Sequence, residues 1–410
     1  MSALSVERGR LTPLIALLAA DGVSRAGNAI TIVAVPLIAL QIAGTPLAIA
    51  AAGIAATLPL AIGGIVGGIV VDRLGFRRAS ILADGASGAT VLAIAVLAIA
   101  GALPFWTLLV LVSLSNLLDA PGAAARSSQI PELCERAGAS LSRVVAAQAT
   151  VSRTAAMVGA GLAGLLVATA GAAPAMIVNA AAFGVSLLIT IAFIPYIPLP
   201  EPGESDAPRT DLGWAALTAG IRFVLRTPLV RAIVIMVVVT NALDTAGMTV
   251  LNPLYAAGLG NGGAELGVML ACFAGGALAG AAIYGIVGDR LPRHALFVVL
   301  FLLAGAPPYL AMALAAPFPV VAIMLALSGL AAGPLNPLID SALYRLIPAE
   351  IRARVLGAIS AGVTAAMPLG SLAAGLGVDW IGLAAALGAT AVLYLVAVFA
   401  TSFGRRWHGF

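Results

Sequence analysis

The segment GIVVDRL (residues 68–74) occurs a second time, with a single change, as GIVGDRL (residues 285–291). Each copy lies between two long apolar stretches, and the second begins 217 residues after the first in a chain of 410. Pro36 and Pro253 are separated by the same distance. A repeat at about half the chain length predicts two halves that share one fold and one orientation.

The composition places the chain in a membrane. Of its residues 61% are hydrophobic and only 9% are charged, whereas a soluble globular protein has about 25% charged residues. The basic residues are spread over short connections and do not form one face, so the net charge of +4 does not indicate a nucleic-acid partner. The sequence predicts an all-α polytopic membrane protein.

Twelve apolar stretches are long enough to cross a bilayer, which requires about 20 residues. We place these spans at residues 12–42, 45–71, 78–101, 104–125, 141–170, 173–197, 229–257, 264–288, 294–315, 317–343, 352–377 and 382–403. Because the number is even, both termini lie on the same side of the membrane.

Arginines occur at alternate connections between the spans, and the remaining connections have none. Arg126 belongs to a basic connection, because the fourth span is predicted to end at residue 125. By the positive-inside rule the basic side faces the cytoplasm. The sequence therefore predicts a protein integral to the cytoplasmic (inner) membrane of a bacterium, with both termini in the cytoplasm.

The repeat and the spans predict three regions. Residues 1–197 form an N-terminal six-helix bundle, and residues 229–410 form a C-terminal six-helix bundle. Residues 198–228 form a cytoplasmic linker, which begins with PLPEPGESDAPRT (residues 198–210). The linker continues in a stretch with helical apolar spacing, which we interpret as an interfacial amphipathic helix; a simple connector fits the stretch equally well.

Charged residues inside spans are the candidates for a functional site, because each costs roughly 2.5–3.5 kcal/mol at the centre of a bilayer. Asp21 and Arg25 are four residues apart on one helix face and are predicted to pair. Asp244 is the only deeply embedded ionisable residue of the second half, and a desolvated carboxylate without an arginine partner exchanges protons readily or attracts a cation. The candidate proton-coupling residues are Asp21, Asp244, Arg25, Asp119 and Arg153. The candidate residues of a substrate cavity are Asn28, Asn116, Gln148, Asn241, Asn252 and Asn336.

Each of these candidates also has a purely structural interpretation. The Asp21–Arg25 pair can serve the fold alone, and Arg153 can neutralise an acid of the first or fourth span. Asp244 can stay protonated and hydrogen-bonded, and an asparagine inside a span can simply join two helices.

The segment GGIVVDRLGFRRAS (residues 67–80) resembles the signature between the second and third helices of the major facilitator superfamily. The signature consists of glycine, three residues, Asp-Arg, one residue, glycine and then basic residues. The resemblance implies the major facilitator fold, in which twelve transmembrane helices form two parallel-repeat six-helix bundles. It also implies a conformational gate motif that locks one side of the membrane in one state, made of Gly68, Asp72, Arg73, Gly75, Arg77 and Arg78, with Gly285, Asp289 and Arg290 in the second copy.

Shorter segments, among them ILADGASG (residues 81–88) and ARSSQIPEL (residues 125–133), resemble the drug–proton antiporter subgroup. That subgroup includes macrolide, enterobactin and mycobacterial Tap-type multidrug exporters. The chain has Ala160 where the antiporter motif of the fifth helix has proline, and the predicted fourth span has no arginine in its apolar part.

The resemblance implies a proton-coupled secondary transporter that exports amphipathic, cationic drugs or related small molecules by alternating access. The alternative is an exporter or importer of one narrow natural cargo, such as a siderophore, a lysolipid or a metabolite, with or without proton coupling. We find no nucleophile–base pair, metal cluster or nucleotide-binding loop, and expect neither an enzyme nor a cofactor. The expected partners are a lipophilic small molecule, protons and membrane lipids, and the expected state is a monomer.

Overall fold

The computed structural model describes residues 3–196, 214–260, 263–287, 293–348 and 351–402. Every regular element within these ranges is a helix. The predicted linker residues 198–213 and the gate residues Asp289 and Arg290 lie outside the described residues.

The first half of the chain contains six long helices. They are α1 (Ala3–Ala43), α2 (Pro46–Leu74), α3 (Phe76–Ile99), α4 (Phe105–Ala137), α5 (Leu141–Ala170) and α6 (Ala172–Phe193). Connections between them are short. Gly75 alone joins α2 to α3, with a φ of 79° and a ψ of 155°. That backbone region is open essentially to glycine only, which explains why the motif has glycine between two spans.

The second half begins with α7 (Trp214–Arg226), which Thr227 alone separates from the next helix. The membrane helices that follow are α8 (Pro228–Ala246), a π-helical turn (Gly247–Leu251), α9 (Asn252–Ala257), α10 (Gly263–Val287), α11 (Arg293–Ala313), α12 (Phe318–Ala332), α13 (Leu335–Leu346), α14 (Arg352–Ile381) and α15 (Leu383–Ser402). α8, the π turn and α9 together form one apolar span, and α12 and most of α13 form another.

Eleven of the described helices are long and apolar enough to cross a membrane. A shorter apolar stretch, Pro46–Leu60, begins α2, the helix that corresponds to the second predicted span. The prediction of an all-α polytopic membrane protein is confirmed. Its main error concerns α4, which continues to Ala137 although we predicted an end at residue 125.

The helices fall into two compact units. The first comprises Met1–Glu204 and Ala256–Ala271, and the second comprises Ser205–Tyr255 and Cys272–Phe410. In the first unit α1 packs against α5 and α6, and α3 packs against α4 and α6. In the second unit α8 packs against α14 and α15, and α11 packs against α12 and α15. The same packing pattern therefore occurs twice, as the internal repeat of the sequence predicts.

Within the second unit, glycines allow α12 and the part of α10 after Ala271 to pack backbone against backbone. Gly276 and Gly280 of α10 face the backbone of α12 near Ala326 and Leu330, and Gly329 faces the backbone of α10 at Phe273. A Cβ atom added at any of these glycines would overlap the facing backbone. Such close packing is a common way of joining helices in a membrane, where apolar burial alone does not drive association.

Candidate functional site

A buried arginine connects three helices of the first unit. Arg126 lies inside α4 and is only 1% exposed. Its Nη1 donates to Oδ1 of Asp84 on α3 at 2.9 Å, and its Nε donates to Oδ1 of Asp21 on α1 at 3.3 Å. Nη2 lies 3.5 Å from the Ser24 hydroxyl. One guanidinium group thus joins α1, α3 and α4.

The position of Arg126 corrects the sequence prediction. We placed it in a cytoplasmic connection and found no arginine in the fourth span, whereas α4 continues through it. The helix also includes Pro121 and Pro131. Prolines are tolerated in membrane helices where neighbouring groups satisfy the freed carbonyls, and the charge is tolerated because carboxylates surround it.

Asp21 binds two arginines, Arg25 and Arg126. Its Oδ2 accepts a hydrogen bond from Nε of Arg25 at 2.9 Å, while its Oδ1 faces Arg126. Asp21 is buried, but the Arg25 side chain is 38% exposed. The predicted pairing of Asp21 with Arg25 is present, and Arg126 is the partner that spacing along one helix did not reveal.

Asp84 is fully satisfied. One of its oxygens accepts from Arg126, and the other accepts from the Ser186 hydroxyl of α6 at 2.7 Å. The side chain is completely buried. This carboxylate therefore has a strong structural role, because it connects α6 to the arginine.

Asp21, Arg25, Asp84, Asp119 and Arg126 form one cluster, the Arg126 cluster. Of its three carboxylates, Asp119 has the weakest contacts with the arginines. Its Oδ2 accepts from Nδ2 of Asn28 at 2.8 Å. Its Oδ1 lies 3.8 Å from Nη2 of Arg126, beyond hydrogen-bonding distance, and has no hydrogen-bond partner among the described residues. The side chain is 13% exposed. Three carboxylates thus face two arginines, and the formal charge of the cluster is −1.

The other predicted site residues of the first unit lie around this cluster or apart from it. Arg153 is half-buried on α5, two residues after Val151, which faces Gly22 of α1. Asn116 donates to the Val112 carbonyl of its own helix. Gln148 donates to the Ser127 hydroxyl of α4. Arg126 faces carboxylates of the first, third and fourth helices.

In the second unit, Asp244 lies half-buried on α8, one turn before the π-helical turn. Its carboxylate forms no hydrogen bond or ion pair with the described part of the chain. Its polar neighbours form hydrogen bonds within their own helix: the Asn241 side chain donates to the Val237 carbonyl, and the Thr245 hydroxyl donates to the Asn241 carbonyl. π turns inside α-helices occur frequently at functional sites, and this one begins three residues after Asp244.

Two buried tyrosines, which the sequence analysis did not select, lie close to Asp244. Tyr309 on α11 and Tyr394 on α15 both lie within electrostatic range of its carboxyl group. The Tyr309 hydroxyl occupies the space that a side chain at Gly247 would need. A tyrosine in an apolar span indicates a polar group nearby, because a buried hydroxyl usually has a hydrogen-bond partner.

The other two predicted cavity residues of the second unit, Asn252 and Asn336, have no described contact with Asp244. Asn252 begins α9 and is buried, and its Oδ1 has no hydrogen-bond partner in the described ranges. Asn336 is exposed on α13. Among the residues that the structure describes, no group of three potential ligands could hold a metal ion.

The first copy of the gate motif contacts the end of α6. Nη2 of Arg77 donates to the Ile191 carbonyl at 2.7 Å, and the Arg78 guanidinium lies 5.7 Å from the centre of the Tyr196 ring. Arg73 is exposed. Gly68 and the backbone of Asp72 lie in α2, and Gly285 lies in α10 with open space around its Cα. Arg77 thus attaches the α2–α3 connection to the end of α6, and Arg78 attaches it to Tyr196, just after that helix.

Comparisons with known proteins agree with this architecture. A family model described as transmembrane secretion effector matches residues 12–406. The chain is 33% identical over 395 residues to the multidrug efflux pump Tap of Mycolicibacterium fortuitum, which covers 94% of this chain and 95% of that protein. It is 32% identical over 374 residues to the pump of the same name from Mycobacterium tuberculosis, with coverages of 90% and 88%.

Solved structures with low sequence identity share the fold. The nucleoside transporter NupG superposes with a TM-score of 0.76 at 12% identity, over 95% of this chain and 98% of that one. A bacterial homologue of the human lysosomal transporter Spinster superposes with a TM-score of 0.66 at 14% identity, over 96% and 97%. The chain therefore belongs to the transmembrane secretion effector family of the major facilitator superfamily and is an integral membrane transporter.

Proposed function

We propose that this transporter exports amphipathic, cationic drugs or related small molecules in exchange for protons. Transport proceeds by alternating access in the bacterial inner membrane, with both termini in the cytoplasm and the protein acting as a monomer. The family and the names of the Tap relatives support the export of drugs. The observation that carries proton coupling is the charge of the Arg126 cluster, in which three carboxylates face two arginines.

Asp119 is the carboxylate that binds the proton in this proposal. Asp84 has a direct hydrogen bond to each oxygen, and Asp21 has an arginine at each oxygen. Asp119 has one hydrogen bond from a neutral amide and one oxygen without any among the described residues. A proton on that oxygen removes the excess negative charge and leaves two carboxylates facing two arginines. Arg126 then needs to compensate Asp21 and Asp84 alone.

Asp244 provides a second negative charge, in the other unit, and attracts the substrate. A carboxylate at which no described residue provides an ion pair favours a cation more than a neutral molecule. Tyr309 and Tyr394 are uncharged at neutral pH and leave this charge uncompensated. A cationic substrate near Asp244 and a proton at Asp119 therefore use different carboxylates.

We expect Asp119→Asn to uncouple transport from the proton gradient, because asparagine cannot bind the proton. Exchange of one proton for a singly charged cation moves no net charge, so the pH difference drives it. A difference of about 2.5 pH units provides roughly 3.4 kcal/mol, enough for a concentration ratio of about 300. In proteoliposomes with an imposed proton gradient, the variant should lose ethidium accumulation and keep ethidium exchange without a gradient.

Glu135→Gln is the matched control for this experiment, because Glu135 lies exposed near the end of the same helix and should leave accumulation unchanged. Full gradient-driven accumulation by Asp119→Asn would contradict the proton site. If the natural protein itself showed no dependence on the gradient and one strongly preferred substrate, the narrow-cargo alternative would apply. Ala160, at the position of the antiporter proline in an unbroken α5, is the feature that supports that alternative.

We expect Asp244→Asn to weaken the transport of cations selectively. If the carboxylate and the positive charge of the substrate are about 7 Å apart, they attract each other by roughly 2 kcal/mol at an effective dielectric constant of 20. The Michaelis constant for ethidium should therefore rise by about tenfold or more. The constant for a neutral lipophilic substrate should change little. Asp379→Asn, at an exposed residue of the same unit, is the control. An equal loss for charged and neutral substrates would assign Asp244 a structural role.

A further inference from the structure

α7 has three distinct faces. Gly220, Phe223 and Val224 face the second unit, where Val224 belongs to the apolar core around Val230 and Ile233 and Phe223 packs against it. Ile221 and Leu225 lie one turn apart on the next face and are 44% and 57% exposed. Arg222 and Arg226, also one turn apart, are exposed beside them. An apolar strip next to a basic strip is typical of a helix that lies in a membrane interface.

The basic face has no acidic partner within the part of the chain that the structure describes. Arg222 and Arg226 repel one another at a spacing of four residues, and neither forms an ion pair with a described carboxylate. Arg231 adds a third positive charge nearby, since its Nη1 donates to the Leu225 carbonyl at 3.1 Å. Three arginines therefore surround the last turn of α7 and create a site that favours an anion.

The position of α7 in the chain brings this face to the level of the lipid headgroups. α7 ends at Arg226, and the apolar span begins at Pro228. Since only Thr227 lies between them, the last turn of α7 cannot lie far from the membrane boundary. The exposed apolar pair and the arginine pair are thus located where acyl chains and phosphate groups meet.

We propose that the exposed face of α7 binds anionic phospholipid. Ile221 and Leu225 insert beside the acyl chains, and Arg222 and Arg226 bind the phosphate, for which the guanidinium group has a matching planar fork of donors. The bound lipid removes the repulsion between the two arginines and fixes the linker end of the second unit against the membrane.

An alternative occupant of the arginines is the acidic linker of the same chain. Its carboxylates are Glu201, Glu204, Asp206 and Asp211. The exposed apolar pair favours lipid, because a segment rich in carboxylates has no reason to cover Ile221 and Leu225. The experiment therefore measures contact of this face with lipid directly.

The test uses the full chain with Cys134 and Cys272 replaced by alanine and a fluorophore attached at Leu225→Cys. The labelled protein is reconstituted in phosphatidylcholine vesicles that contain a minor fraction of brominated phosphatidylglycerol or, in parallel, the same fraction of brominated phosphatidylcholine. Each arginine near an anionic surface contributes about a fivefold preference, so the brominated anionic lipid should quench at least about twice as strongly as the neutral one. Arg222→Gln with Arg226→Gln should bring the ratio close to one.

Arg136→Gln with Arg143→Gln removes the same charge from exposed positions of the first unit and should preserve the ratio. Added salt offers a second measurement on the parent protein, because screening should lower the ratio without any further substitution. Equal quenching by both lipids in the parent protein would overturn the proposal. Quenching by neither lipid would overturn it as well, and would indicate that protein covers this face.

Discussion

Replacing Arg126 with leucine should lower the free energy of unfolding by about 3–5 kcal/mol, the usual effect of removing one member of a buried ion pair. The substitution leaves Asp84 buried, with Ser186 as its one remaining partner among the described residues, and removes one of the two arginines from Asp21. Denaturation of the purified protein in detergent micelles, followed by tryptophan fluorescence, measures the change.

The matched control is Arg136→Leu. Arg136 lies on the same helix and pairs with Glu132, but its side chain is 47% exposed, so the loss should remain below about 1 kcal/mol. Combining Arg126→Leu with Asp84→Asn should restore part of the stability, because it removes the uncompensated charge as well. Equal destabilisation by the two single arginine substitutions would contradict a larger contribution of the buried ion pairs of Arg126.

The Gly329→Ala substitution should separate α10 from α12 and destabilise the protein by about 3 kcal/mol, the upper end of the usual cost of overpacking. The new Cβ atom would overlap the carbonyl group of Phe273. A backbone carbonyl cannot rotate away as a side chain does, so one helix has to move. The same denaturation measurement applies.

Gly357→Ala in α14 is the control for this substitution. Nothing lies within 4 Å of a Cβ atom at that position, and alanine in a helix is better than glycine by up to about 1 kcal/mol. The two glycine-to-alanine substitutions should therefore change stability in opposite directions. A neutral or stabilising effect at Gly329 would mean that the close contact between α10 and α12 is not required.

The sequence predicted the helices well because each span carries its own signal, a run of about 20 apolar residues. The internal repeat predicted that the two halves share one fold, and the same pairs of helices pack in each half. The predicted end of the fourth helix was wrong because we assigned Arg126 to a basic connection, and a charged residue is typical of the end of a span. Only the carboxylates of two other helices explain why the helix continues.

The candidate site was predicted in part, for a related reason. Asp21 and Arg25 are neighbours on one helix, so their spacing alone predicts the pair. Asn28 and Asp119 are 91 residues apart, and Asp244 is near tyrosines of two other helices. Contacts between distant residues depend on how helices are rotated, which the apolar pattern of a nearly uniform span does not specify.

The partners of Arg126 also have an order along the chain. Asp21, Asp84 and Asp119 all precede it, and a membrane protein is synthesised from its N-terminus. When the ribosome reaches Arg126, every carboxylate that compensates its charge has already been made. The most costly positive charge of the first unit therefore enters the membrane after its counter-charges, and its insertion does not have to wait for any later helix.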